Sequence, residues 1–270
     1  MKFLTIIFTL IVFSICQIKA QPFKFNSVDA KKPFYFHMGW QNKKGAYVWY
    51  NNQKMPIPLK LKSYERDTTE RRYGQPDVEY YKWTEMFNRK ATGEYKLTLM
   101  LRNIYDVEYL RYKDQKIFKF EIDNHEEYDG KNMLLLHHIQ LCFYTSFKDD
   151  LSIKYPDSTQ QKYTLNQVDE NRFRQATIAD YNFDGIDDIA FSVPDGEGLN
   201  VAWNIFIYNP KLKRFFQLKE PQNSGCGYFT NLKVEKQSKE LTVTCKNNAR
   251  WETYTFKYNK AGKLFLKKHE

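Results

Sequence analysis

At 270 residues and 32.5 kDa, the chain is long enough for one large or two ordinary domains with a real core. Aromatic residues make up 17% of it and glycine only 11 positions, which excludes a disordered, collagen-like or low-complexity chain. The formal charge is +10, so an anionic surface or an acidic partner suits it better than a basic one.

Residues 1–20 read as an address. The segment has Lys2 near its start, an apolar run from Phe3 to Cys16 and a small residue, Ala20, at its end. That is the layout of a secretory signal peptide. The run is shorter than the roughly 20 residues a membrane span needs, and an uncleaved anchor or a lipoprotein cysteine at Cys16 are the lesser readings. Removing residues 1–20, which hold Lys2, Lys19 and no acid, lowers the charge from +10 to +8. No later stretch reads as a transmembrane segment: MLLLHHIQLCFY, from Met133, is broken by two histidines and a glutamine. An exported chain is expected in the periplasm or secreted, which sets nucleic acid aside as a partner.

From Tyr47 onward, apolar and polar residues alternate with period two. Tyr95, Leu97, Leu99 and Leu101 share one face, as do Phe118, Phe120 and Ile122. Val201, Trp203, Ile205 and Ile207 oppose Asn200, Ala202 and Asn204, and the run LTVTC is followed by TYTFKY, with threonines facing outward. Turn signals fall at Asn51-Asn52, Ala91-Thr92-Gly93, Lys113-Asp114, Asp129-Gly130, Asp195-Gly196, Asn209-Pro210 and Ala261-Gly262. The expectation is an all-β, mainly antiparallel protein, with a short helix around Glu79–Met86 compatible with the pattern. The polar, turn-rich NHEEYDG stretch marks a seam, dividing the chain into a signal peptide (1–20), an N-terminal β domain (21–130) and a C-terminal β domain (131–270).

One motif carries chemistry. Residues 180–188 read D-x-N-x-D-G-x-x-D. Oxygen-bearing side chains at positions one, three and five, a glycine for the reversal, a carbonyl at seven and a carboxylate at nine can supply the six to eight oxygens calcium prefers. The expected ligands of one Ca2+ are Asp180, Asn182, Asp184, the Ile186 carbonyl and Asp188, with Asp187 pointing away. An EF-hand would place Glu at position twelve between two helices. Position twelve is Phe191 and both flanks read as strands, so this is a β-flanked loop.

Enzyme motifs are missing from the sequence. There is no Gly-x-Ser-x-Gly, no His-Glu-x-x-His and no phosphate-cradling loop. His137 and His138, adjacent in an apolar run expected to be a strand, would face opposite sides and so cannot share a metal. The acid pairs Glu126-Glu127 and Asp149-Asp150 lack the apolar setting that raises a catalytic carboxyl. The chain is therefore read as no enzyme.

Export makes the cysteines disulfide candidates. With Cys16 lost to cleavage, Cys142, Cys226 and Cys245 remain, enough for one pair. Cys226 and Cys245 flank an apparent hairpin in which Val234 pairs with Leu241 and Thr230 with Cys245. That register leaves Cys226 a few residues distant, and Gly225 and Gly227 would have to bend it back. Cys226–Cys245 is the favoured bridge and Cys142 a buried thiol.

The calcium loop, a strand, the glycines 196 and 198, Asn200, Trp203 and the Tyr208-Asn209-Pro210 turn together resemble a bacterial periplasmic family of lysozyme-inhibitor-like immunity proteins with a single calcium loop. The stretches KGAYVWYNNQKMPIPLKLKSYE and WTEMFNRKATGEYKLTL look like the β domain that precedes the loop in such proteins. Ser224 to Tyr228 has the form S-G-x-x-Y, met in some periplasmic lysozyme inhibitors and also by chance. The resemblance implies a propeller-like or sandwich β assembly. It implies, too, an inhibitor that occludes the active site of a secreted, peptidoglycan-cleaving glycan hydrolase. The residues assigned to partner contact are Asp195, Glu197, Asn200, Trp203 and Tyr228. Inhibitors of basic lysozymes are usually acidic. At +8, either the partner is acidic or neutral, or the resemblance is one of fold and not of inhibition. The alternative is a cell-envelope or glycan-binding module without inhibitory activity.

Overall fold

The computed structural model describes residues 22–28, 30–69, 76–101, 103–123, 130–195, 200–221, 225–227, 229–247 and 250–270. The signal segment, most of the NHEEYDG seam, Glu197 and Tyr228 lie outside them. The described residues are all-β and antiparallel, without a helix.

The first eight strands close into a barrel: β1 (Phe23–Ser27), β2 (Tyr35–Gln41), β3 (Lys44–Tyr50), β4 (Ile57–Asp67), β5 (Val78–Phe87), β6 (Lys90–Met100), β7 (Asn103–Arg111) and β8 (Lys116–Ile122). Each strand pairs with the next, and β1 returns to β8 with Asn26 opposite Glu121. The alternation marks one face for the interior, where Phe25, Phe36, Met38, Trp83, Tyr95, Leu97 and Phe120 interlock. An eight-stranded barrel is just wide enough to be filled by side chains, and aromatics fill this one. The sequence expectation of a propeller-like or sandwich assembly did not anticipate this closure, because which edges meet is invisible to local periodicity. The helix considered over Glu79–Met86 is part of β5; Trp83 and Glu85 face inward from it.

Register shifts at Gly39/Gln41, Leu61/Ser63, Glu85/Met86 and Lys96/Thr98 bend the strands, as barrel closure requires. The turn expected at Ala91-Thr92-Gly93 falls three residues earlier, at Asn88-Arg89, where both residues adopt left-handed φ of 49° and 62°. Gly93 instead lies within β6. A Cβ there would come within 2.2 Å of the Tyr109 ring, so glycine makes room for that ring. The Tyr109 hydroxyl then reaches Glu85, which is 4% exposed. Glu85 accepts hydrogen bonds from Tyr109 (2.8 Å), Tyr95 (3.0 Å), Tyr50 (3.2 Å) and Thr92 (2.6 Å). A buried carboxylate is tolerated because four hydroxyls replace its water shell.

Three further sheets follow. The first comprises β9 (Lys131–Leu136), β10 (Ile139–Tyr144), β11 (Asp150–Lys154) and β12 (Gln160–Thr164). The second comprises β13 (Gln175–Ala179), β14 (Asp188–Pro194), β15 (Val201–Asn209) and β16 (Arg214–Gln217), with the short β17 (Phe229–Thr230) also on β15. The third comprises β18 (Lys233–Glu235), β19 (Glu240–Asn247), β20 (Arg250–Tyr258) and β21 (Leu264–His269).

They pack in series. Met133 and Leu135 on β9 meet Tyr47 and Trp49 of the barrel, whereas Leu134 and Leu136 turn to the second sheet. On β15, Phe206 and Tyr208 pack toward the first sheet and Trp203, Ile205 and Ile207 toward the third. Both faces of these strands are covered, which is why β9 and much of β15 read as apolar runs. His137 and His138 are not strand residues on opposite faces. They form the tight turn between β9 and β10, with φ of 53° and 63°.

Candidate functional site

The acidic loop connects β13 to β14. Gly185 takes φ +85° and Phe183 φ +62°, so the chain reverses where the sequence places its glycine. Asp184 N–H is shared by Asp180 Oδ1 and Asn182 Oδ1, both at 3.1 Å. Gly185 N–H donates to Asp180 Oδ2 (2.8 Å), Ile186 N–H to Asp184 Oδ1 (2.8 Å), and the Asn182 amide to Asp184 Oδ2 (2.9 Å). Asp188 is fully buried; its oxygens accept Tyr181 N–H at 2.9 Å and Tyr208 N–H at 2.8 Å. Burial, reinforced by Asp184 and Asp180, pushes its pKa up to about 7 against those two hydrogen bonds.

Three features bear on whether these residues suit a cation. No Lys, Arg or His pairs with Asp180, Asp184 or Asp188 among the described residues. The Tyr258 hydroxyl is buried without a hydrogen-bond partner, and the same three carboxylates help to hold its pKa high. Each carboxylate oxygen engaged by an amide keeps a second lone pair. The donor set is all oxygen and uncompensated, which fits calcium. No group of three or more His, Cys, Asp or Glu gathered for a metal occurs among the described residues, so Asp180, Asp184 and Asp188 are not drawn together into one in this structure.

Asp187 points out of the loop, to Lys44 at the start of β3. Its carbonyl accepts His137 Nε2–H at 2.6 Å, and the His137 ring stacks on Tyr208 with centroids 3.9 Å apart. Sequence reasoning missed Lys44 and His137 because nothing local connects residues so far apart.

Asp195, just after β14, and Asn200, just before β15, are hydrogen-bonded to each other. Asn200 donates to Asp195 Oδ2 from its backbone (3.0 Å) and its amide (2.8 Å). Asn231, which no sequence signal singled out, braces Asn200 from outside. Its amide donates to Asn200 Oδ1 and to the Thr244 carbonyl, both at 3.0 Å, and its oxygen accepts Val201 N–H at 2.8 Å. Asn231 thus ties the turn to β19. Trp203, expected as a contact residue, is half-buried against the third-sheet cluster, with its indole N–H buried and unpartnered.

Cys226 and Cys245 are joined in a disulfide. The hairpin differs from the sequence expectation: Val234 does face Leu241, but Thr230 pairs with Ala202 of β15 and not with Cys245. The strand has left the third sheet by that point, which brings Cys226 within reach. Cys142 is half-buried and free.

Beside the turn lies an open cleft of about 380 Å³ that includes Asp195, Asn200 and the disulfide.

No family model matches this chain, and no curated protein matches it. Among solved structures, it is similar to a 6-phosphogluconolactonase-like protein of Bacteroides fragilis at 10% identity and a TM-score of 0.29, over 92% of this chain and 94% of that one. Likeness at that level carries no argument about fold or activity.

Proposed function

We propose that the chain is an exported calcium-binding protein that inhibits a lysozyme-like glycan hydrolase by occluding its active site, and has no catalytic activity of its own. The observation that supports this reading is the set of hydrogen bonds at the base of the β14–β15 connection, where Asn200 donates to Asp195 and accepts from Asn231. A connection anchored at its base before binding has less entropy to lose when it enters a cleft. Calcium would be held by Asp180, Asn182, Asp184, the Ile186 carbonyl and Asp188, where it would neutralise three carboxylates and fix the start of β14. The finer architecture belongs to the same proposal: three successive antiparallel sheets, of four, five and four strands, suit a propeller-like assembly following the N-terminal barrel domain.

The test is the rate at which a secreted muramidase clears peptidoglycan as the protein is added. Stoichiometric inhibition, competitive with glycan and weakened by EGTA, is expected. Asn200→Ala should weaken it, compared at a temperature where the melting curve shows the variant still folded. Inhibition that is absent, or unaffected by Asn200→Ala and EGTA together, would sink the proposal.

A second reading, a glycan-binding module of the cell envelope, is favoured by the cleft of mixed polar and apolar lining beside Asp195 and Asn200. It predicts binding of glycan by the protein alone.

A further inference from the structure

Positive charge is concentrated at the C-terminal end of the chain. Residues 233–270, which form the third sheet and its turns, hold ten Lys and Arg against four Glu, +6 of the chain's +10. The two faces of this sheet are unlike. Leu241, Val243 and Phe256 point into the buried cluster shared with the second sheet. The pleat turns their neighbours the other way. That outer face carries Thr242 opposite Thr255 and Thr244 opposite Thr253 at its centre. Lys246 lies opposite Trp251 at one end, and Lys257 opposite Phe265 at the other.

The carboxylates of the sheet are already engaged. Glu235 pairs with Lys233, Glu240 with Lys267 and Lys257, and Glu270 with Lys268. Glu252 shares the inner face with Tyr254, whose hydroxyl donates to it at 2.5 Å. Lys236, Lys239, Lys246, Arg250, Lys260 and Lys263 are exposed and make no ion pair among the described residues. Lys236 and Lys239 stand in the β18–β19 turn, Lys260 and Lys263 in the β20–β21 turn, and neither turn contains an acid. Glu235 faces Glu240, which faces Lys257, so both turns lie at the same end of the sheet. Neighbouring strands are about 4.8 Å apart, which sets the turns about 10 Å from each other. The screening length at physiological salt is about 8 Å, so the potentials of the four ammonium groups overlap.

Charge complementarity calls for an anionic partner, and the side chains say which kind. Lysine is a mobile point charge without the fixed fork of arginine, so a set of lysines collects repeated negative charges and does not grip one phosphate. Trp251 is 54% exposed and Phe265 42%, but threonines separate them. A face that enters a membrane needs a contiguous apolar surface, which this one lacks. From Trp251 to Lys257 the strand runs about 20 Å, long enough for several sugar rings. An indole face suits the C–H side of a ring, threonine hydroxyls both donate to and accept from its hydroxyls, and lysines meet its carboxylates.

We infer that the outer face of the third sheet, with its two lysine-bearing turns, binds an anionic polysaccharide. Trp251 lies against a sugar ring, and Lys236, Lys239, Lys260 and Lys263 meet the carboxylates of the polymer. The inference rests on the glycan-binding reading and gives it a surface and a charge class. Cleavage is not part of it.

The experiment is calorimetric titration of the full protein with polygalacturonate, neutral dextran and phosphatidylglycerol vesicles, in EGTA so that calcium bridges none of them to the acidic loop. Polygalacturonate should bind at low salt, more tightly than dextran, and its affinity should fall steeply as salt rises. Lys236→Gln, Lys239→Gln, Lys260→Gln and Lys263→Gln combined should weaken it about tenfold. The melting temperature should hold, since these side chains make no ion pair in the fold. Trp251→Ala should weaken binding several-fold. A control with the same charge loss on the barrel, Lys60→Gln, Lys82→Gln, Lys90→Gln and Lys96→Gln, should leave it nearly unchanged; these lysines are exposed on β4, β5 and β6. Equal weakening by the control would overturn the surface, as would an unchanged Trp251→Ala. Dextran bound as tightly as polygalacturonate, with both third-sheet variants unaffected, would overturn the inference and leave the glycan reading standing. No binding of either polysaccharide would overturn both. Vesicles bound in preference to both polysaccharides would overturn the polysaccharide in favour of a membrane.

Discussion

Lys44, the first residue of β3 in the barrel, forms an ion pair with Asp187, the eighth residue of the acidic loop. Asp187 makes a second polar contact through its carbonyl, which accepts from His137. The energetic weight of the ion pair is small, because the two side chains are 45% and 33% exposed and water screens them. The apolar contact of Tyr47, Met133 and Leu135 holds the barrel against the first sheet far more strongly. Lys44→Ala should change unfolding free energy by less than about 1 kcal/mol, whereas Leu135→Ala should cost about 3 kcal/mol. Urea denaturation of the two variants compares them directly, and equal losses would contradict this ranking.

Calcium should stabilise the fold. At free calcium about 100-fold above its dissociation constant, linkage gives roughly 2.7 kcal/mol. EGTA should lower the melting temperature and calcium should restore it. Asp184→Ala should abolish the response. Asp187→Ala should keep most of it, since Asp187 serves Lys44 and not the loop centre. Equal loss of response in the two variants would show that the ligand assignment is wrong.

Asp188 sets a pH dependence for the calcium-free protein. Burial first, then Asp184 and Asp180, raise its pKa to about 7 from an ordinary 3.8. A carboxyl whose folded pKa is raised favours folding most below the unfolded pKa, and that contribution fades as pH rises through the folded value. In EGTA, stability should therefore fall between about pH 4 and 7, by an amount on the order of a few kcal/mol. Saturating calcium should flatten the fall by stabilising the ionised form. A melting temperature in EGTA that does not fall over this range would contradict the burial of Asp188.

Glu85 is the barrel's most exacting position. Glu85→Leu keeps the volume but strands the hydroxyls of Tyr50, Tyr95, Tyr109 and Thr92. The expected loss is about 3 kcal/mol, seen as a lower urea midpoint with an unchanged slope. Glu85→Gln retains an acceptor and should lose less. A neutral Glu85→Leu variant would mean that the hydroxyls find other partners.

Some of this was written locally and could be read without the fold. Period-two alternation placed Phe118 and Phe120 on one face and Leu241 and Val243 on another, and all four lie on the faces expected. The spacing of Asp180, Asn182, Asp184, Gly185 and Asp188 required a reversal at the glycine, and the backbone makes it there. In each case the physical cause, a pleat or a left-handed glycine, acts within about ten residues. The outcome was therefore set by neighbours in sequence.

What only the tertiary structure decided came from distant partners. Barrel closure depends on β1 finding β8, with Phe25 opposite Ile122, and no local pattern names that partner. Glu85 drew no notice in the sequence, where it lay in the stretch compatible with a short helix; in the fold Gly93 makes room for the Tyr109 ring and four hydroxyls converge on it. Gly93 itself read as a turn signal, because sequence cannot tell a glycine needed for φ from one needed for space. Lys44 meets Asp187, and Asn231 meets Asn200, across gaps that only packing closes. Strand propensity and turn chemistry are short-range, so they fixed the elements. Which edges pair and which faces are buried is a long-range choice, made by the apolar area that each arrangement removes from water.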